Sequence, residues 1–210
     1  MVSPRRRFAD TEIGQIHMRV CRPENPVRPP LICLHQSPKS GREYESFMSA
    51  ISDDRIVIAL DSPGQGESAL PPENPPVTIQ DFARILWQAV ETLNLGQVDL
   101  LGNHTGAKVA VEMAHQKPES VRKIVMVSAL VLTPAEQKQF DGQFQPIALD
   151  EAGTRFTHIW EQITKYGRDV MTLEQRAESF AENLRGGEAY EWGHRAAFAY
   201  NAHFPDVISN

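Results

Sequence analysis

The residues of this chain best placed to do chemistry lie in one short stretch, VDLLGNHTG, from Val98 to Gly106. An apolar run enters Gly102, and an amphipathic segment, AKVAVEMAHQ, follows Gly106. That order predicts a strand, a sharp turn and a helix. A turn of the form Gly-x-X-x-Gly holds its apex side chain clear of the sheet, at the positive end of the next helix. The apex here is His104. An imidazole in that position is pushed toward its neutral form because the helix dipole disfavours the cation, and a neutral imidazole is a base. Three uses of His104 stay open at this point. It can take a proton from water, attack a carbonyl carbon itself to give a labile acyl intermediate, or only fill the floor of a binding pocket. Thr105 is a poor nucleophile, since the position after the apex points away from the apex direction.

Two further motifs accompany this turn. LHQSP, Leu34–Pro38, closes an apolar run, and DSPGQGES, Asp61–Ser68, carries glycines that permit a tight backbone turn. No Lys-Ser or Lys-Thr follows those glycines, so the loop is assigned to structure and not to phosphate binding. In this order along residues 8–131, the three motifs resemble the α/β-hydrolase family. The resemblance implies an oxyanion hole made by the Ser37 and Thr105 N–H groups. It also implies a substrate pocket that includes His35, Gln36 and Asn103. Two departures stand out: the family usually places serine where this chain has His104, and glycine where it has Gln36. Gln36 is expected to reshape the oxyanion hole or put an amide into it.

In that family the acid and the histidine of a catalytic triad follow the seventh and eighth strands. This chain ends after FPDVISN, so the resemblance implies truncation before the seventh strand. His158, His194, His203, Asp150 and Asp206 fall in lid-like helices or near the end, and none is expected to complete a triad. The implied function is hydrolysis of a small ester or other carbonyl substrate in the complete form. The alternatives are an inert or ligand-binding relative, or a fragment.

A parallel sheet is needed to position these residues. Arg6–Glu12 and Gln15–Arg22 alternate polar with apolar around Ile13-Gly14, which predicts an antiparallel hairpin. PENPVRPP carries four prolines in eight residues and is expected to be a loop. Continuous apolar runs at Leu31–His35, Arg55–Asp61, Val98–Gly102 and Lys123–Leu130 predict the third to sixth strands, covered by helices on both faces. EYESFMSAI has helical spacing, as does Ile79–Leu93, which sets Phe82, Ile85, Leu86, Ala89, Val90 and Leu93 on one face. The predicted fold class is α/β, a mostly parallel sheet flanked by helices, over residues 1–131. Residues 132–210 are expected to form a helical lid, from RFTHIWEQITKYG, LEQRAESFAENLR and EAYEWGHRAAFAYNAHF. Its aromatics, among them Phe156, Trp160, Phe180, Tyr190, Trp192 and Phe198, are assigned mainly to the lid's own core.

Composition sets the outer limits. With 210 residues, 41% of them hydrophobic, the chain can bury one sizeable core. A formal charge of −6 argues against a general nucleic-acid binder, which needs clustered Lys and Arg. Cys21 and Cys33 lack metal-ligand spacing and are expected to be buried free thiols in a reducing compartment. MVSPRRR is not followed by the apolar stretch of about 7–15 residues that a signal peptide needs. No window approaches the roughly 18 apolar residues of a membrane span. A cytoplasmic protein is expected, with a small-molecule substrate or ligand, no cofactor, no metal and no membrane or nucleic-acid partner. The apolar, nearly uncharged KIVMVSALV, Lys123–Val131, would be an edge strand and is expected to drive self-association.

Overall fold

Four parallel strands carry the site. The computed structural model describes residues 2–72, 74, 76–140 and 144–209. A hairpin of β1 (Arg5–Thr11) and β2 (Gly14–Cys21) leads into β3 (Arg28–Leu34), α1 (Glu45–Ile51), β4 (Arg55–Leu60) and α2 (Ile79–Glu91). After these come β5 (Val98–Asn103), α3 (Thr105–Gln116) and β6 (Val121–Val127). The sheet order is β1-β2-β4-β3-β5-β6, with β4, β3, β5 and β6 mutually parallel. All four apolar runs of the sequence are these strands, within a few residues at their ends. β6 stops at Val127, short of the expected Leu130, because Ser128 turns to φ 54 and breaks the extended conformation.

The proline-rich segment requires a correction. β3 begins at Arg28 and includes Pro29 and Pro30. Its register against β4 shifts between Arg28 and Leu31, so the prolines sit where the ladder is already interrupted and no N–H is needed from them.

Strand alternation divides the interior into two faces. Ile32 and Leu34 of β3, with Ile58 and Leu60 of β4, pack under Phe82, Leu86, Val109 and Met113 of α2 and α3. Leu31 and Cys33, with Val57 and Ala59, pack on the other face with Tyr44 and Met48. Each fully buried large side chain contributes about 1.5–3 kcal/mol. A capping box between Thr78 and Asp81 fixes the start of α2. Both cysteines are free and buried, and burial raises both thiol pKa values.

Beyond β6 the chain is helical: α4 (Pro134–Gln139), α5 (Thr154–Gly167), α6 (Leu173–Arg185), α7 (Trp192–Tyr200) and α8 (Phe204–Ser209). Ala196, Ala197, Tyr200 and Phe204, from α7 and α8, are buried in the larger core cluster against the sheet-covering helices. Polar ties reinforce the packing. Lys39 Nζ donates to Asn183 Oδ1 at 2.7 Å, and Gln65 Nε2 donates to the Ala189 carbonyl at 3.0 Å. Among the described residues no helix is long and apolar enough to cross a membrane. β6 is an outer strand of the sheet, and Val125, Met126 and Val127 are 55%, 45% and 46% exposed.

Candidate active site

The turn between β5 and α3 places His104 at φ 47, ψ −111, directly before the first residue of the helix. A non-glycine residue held there costs about 1–3 kcal/mol, so its surroundings must enforce it. They do so through close packing at two glycines. A Cβ on Gly102 would come within 2.2 Å of the Gly106 carbonyl oxygen, and one on Gly106 within 2.0 Å of the Leu34 carbonyl oxygen. Only glycine lets α3 start this close to β3 and β5. The His104 N–H donates to the Val127 carbonyl at 2.9 Å, and the Ala107 N–H donates to the His104 carbonyl at 3.0 Å.

His104 opens into a cleft of about 210 Å³, whose walls include Gln36, Ser37, Thr105, Lys108 and His194. Thr105 is the first residue of α3, so its N–H has no carbonyl one turn back in the helix to donate to. Ser37 stands in the tight turn after β3, closed by the Lys39 N–H on the Gln36 carbonyl at 3.0 Å. His104 keeps one side open to solvent, while the cleft walls strip water from the rest of the ring. This burial lowers its pKa, and charge on His194 lowers it further.

His35 and Asn103 lie behind the cleft instead of in its wall. His35 is buried; its Nε2 accepts from the Ser62 N–H at 2.8 Å, and its Nδ1 donates to the Gln36 carbonyl at 2.7 Å. Both ring nitrogens are thereby committed to joining the loops after β3 and β4. Asn103 hydrogen-bonds Glu43, which also accepts from the Gln36 N–H and Nε2, each at 3.3 Å. Burial raises the Glu43 carboxyl pKa, opposed by His35, Gln36 and Asn103. The Gln36 amide is thus turned toward a carboxylate. Asp61, in the glycine-rich loop, is a buried structural ion. It accepts from Arg19 Nη1 at 3.1 Å, the Gly41 N–H at 2.8 Å and the Glu67 N–H at 3.0 Å, and pairs with His17 Nδ1 at 2.8 Å.

Two residues enter the site that sequence reasoning did not place there. His194, set aside as a residue of the lid helices, reaches the cleft from α7, with its Nδ1 2.6 Å from Glu191 Oε2. The Glu-x-x-His spacing on one helix was legible, but nothing in the sequence tied it to His104. Lys108, one turn into α3, donates to the Ala197 carbonyl at 2.8 Å and Asn201 Oδ1 at 3.1 Å. Burial lowers its pKa to about 8. A larger groove of about 730 Å³ runs between the start of α2 and α7, past Trp192, Arg195 and His203. It contains neither His104 nor Ser37, so the smaller cleft is the better candidate for chemistry despite its size. Among the described residues no group of three or more His, Cys, Asp or Glu is placed to hold a metal ion.

A family model for the alpha/beta hydrolase fold matches residues 29–200. The chain belongs to this family. Within the alpha/beta hydrolase family it is 29% identical over 126 residues to the uncharacterized hydrolase YugF of Bacillus subtilis, covering 60% of this chain and 45% of that protein. It is 27% identical over 132 residues to a proline iminopeptidase of Lactobacillus helveticus, covering 61% of this chain and 45% of the relative. The chain thus spans a little under half the length of these alpha/beta hydrolase relatives. Its fold is also similar to that of the epoxide hydrolase VrEH1 from Vigna radiata, at a TM-score of 0.75 and 17% identity, over 97% of this chain and 74% of the other.

Proposed function

We propose that the cleft hydrolyses a small ester or other carbonyl substrate by direct activation of water at His104. The observation that carries this reading is the strained His104 turn, which presents an imidazole of lowered pKa into one cleft with Ser37 and Thr105. In this reading the turn serves as the family's elbow and the helices after β6 serve as its cap. Neutral His104 takes a proton from water as the oxygen bonds to the carbonyl carbon. The carbonyl electron pair moves onto oxygen, which the Ser37 and Thr105 N–H groups receive. Collapse of the tetrahedral intermediate breaks the bond to the leaving group, the departing alkoxide gains a proton as His104 gives up the one it took, and acid and alcohol result with no acyl-enzyme formed. Gln36 contributes to the wall of the pocket, while His35 and Asn103 hold the backbone behind it. The two buried free thiols fit a reducing, cytoplasmic setting.

Hydrolysis of a series of short-chain esters by the wild type and by His104→Ala tests this. General-base loss is expected to lower kcat/KM by about 100-fold or more, with the fold intact by circular dichroism. Ester binding without turnover by the wild type would instead support the ligand-binding alternative.

A further inference from the structure

Resting on the hydrolytic reading above, we infer that His194 is a second catalytic residue, the proton donor to the departing alkoxide, and that Glu191 is its positioning residue. Three observations place it. His194 shares the cleft with His104, Ser37 and Thr105. Its Nδ1 is 2.6 Å from Glu191 Oε2, three residues earlier along the chain, so Nδ1–H is held on the carboxylate and Nε2 is left for the cleft. The pair is also sheltered, with side chains 23% and 15% exposed, unlike a solvated surface ion pair.

α7 is fixed on both sides of His194. Gly193 packs against the Ser37 hydroxyl, and the carbonyl of Ala197 and the side chain of Asn201 accept from Lys108 of α3. The Phe144 ring lies 4.7 Å from the His194 ring and restricts its rotation. The segment that covers the cleft thus delivers an oriented imidazole to the same space as the turn.

The two histidines divide the chemistry. Charge on one opposes charge on the other, as the lowered pKa of His104 records. Only His194 has a carboxylate partner; among the described residues the His104 ring has none. Pairs of titratable groups in unequal environments separate into acid and base. In the proposed step the Glu191 carboxylate supports His194 as the imidazolium, with Nδ1–H on Glu191 and Nε2–H toward the leaving oxygen. As the bond from carbon to leaving oxygen breaks, its electron pair takes the Nε2 proton and the alcohol departs. His194 remains neutral with Nδ1–H on Glu191. The proton that His104 took from water returns to His194 through solvent, and ester plus water has become acid plus alcohol.

The test compares an ethyl ester, whose alkoxide must be protonated to leave, with the p-nitrophenyl ester of the same acid, whose phenolate leaves unaided. For His194→Gln, kcat/KM on the ethyl ester is expected to fall about 100-fold, with a change of at most about threefold on the nitrophenyl ester. Glu191→Gln should show the same selectivity with a smaller loss of about tenfold. His104→Ala should lower both substrates alike. Equal losses on both esters for His194→Gln, or no loss on either, overturn the donor role while leaving His104 as base. Full activity of His104→Ala on both overturns the hydrolytic reading itself and the donor role with it.

Discussion

Gly193 of α7 lies against Ser37 so closely that a Cβ at position 193 would come within 1.9 Å of Ser37 Oγ and 2.9 Å of Ser37 Cβ. The helix and the loop after β3 therefore fit only if one of the two positions has no side chain. Gly193→Ala is expected to destabilise the protein by about 1–3 kcal/mol, the usual range for overpacking. Adding Ser37→Gly should restore most of that loss. Urea unfolding of the single and double variants measures it, and additive destabilisation would show that the two residues do not meet.

Lys108 links stability to pH. Its folded pKa of about 8 lies below the unfolded value of 10.5, because burial penalises the cation. Below pH 8 both states hold the proton, and the folded state bears the full penalty. Between pH 8 and 10.5 the unfolded chain binds more protons than the folded one, so this residue makes stability rise with pH. The rise amounts to about 3 kcal/mol. The neutral amine keeps two N–H donors, matching its two acceptors, Ala197 and Asn201. The difference in unfolding free energy between wild type and Lys108→Met should therefore grow in favour of the wild type across that window. A difference that stays flat with pH would contradict the assignment.

The outer edge of β6 supports a proposal about association. Val125 and Val127 on one face of an outer strand, and Met126 on the other, are exposed apolar side chains. Such an edge is a template for pairing with another chain. We expect the 210-residue chain to associate as its concentration rises, and Val127→Lys to reduce the apparent mass in light scattering. The backbone carbonyl that accepts from His104 is untouched by that change. A monodisperse wild type indistinguishable from the lysine variant would remove the proposal.

What the sequence revealed, and what it did not, follows from the range of the interactions involved. Continuous apolar runs marked β3, β4 and β5 because both faces of those strands are buried, whereas the equally apolar run of β6 lies largely exposed, and the spacing of Gly102, His104 and Gly106 marked the turn because its geometry is local. The start of β3 was hidden because Pro29 and Pro30 argue for a loop unless the register shift beside β4 is known. The end of β6 was hidden because nothing about a serine announces the left-handed conformation of Ser128. His35 could not be separated from the cleft by sequence, since its role depends on the Ser62 N–H, 27 residues away. His194 is 90 residues from His104, and only the docking of α7 on α3 brings it to the cleft. Long-range packing of this kind leaves no local pattern.

The most direct measurement is the pH dependence of kcat/KM on a p-nitrophenyl ester, which needs no proton donor to its leaving group. His104 must be neutral to accept a proton, and burial, then charge on His194, place its pKa below the ordinary 6.5. Activity should fall on the acid side with an inflection below 6.5 and stay constant from there up to about pH 8, where Lys108 in the same cleft wall loses its proton. In His194→Gln the inflection should move up toward 6.5, because the second of the two causes has been removed. His104→Ala should lose the activity and the inflection together. An acid inflection that persists unchanged in His104→Ala, at wild-type rates, would contradict water activation at His104.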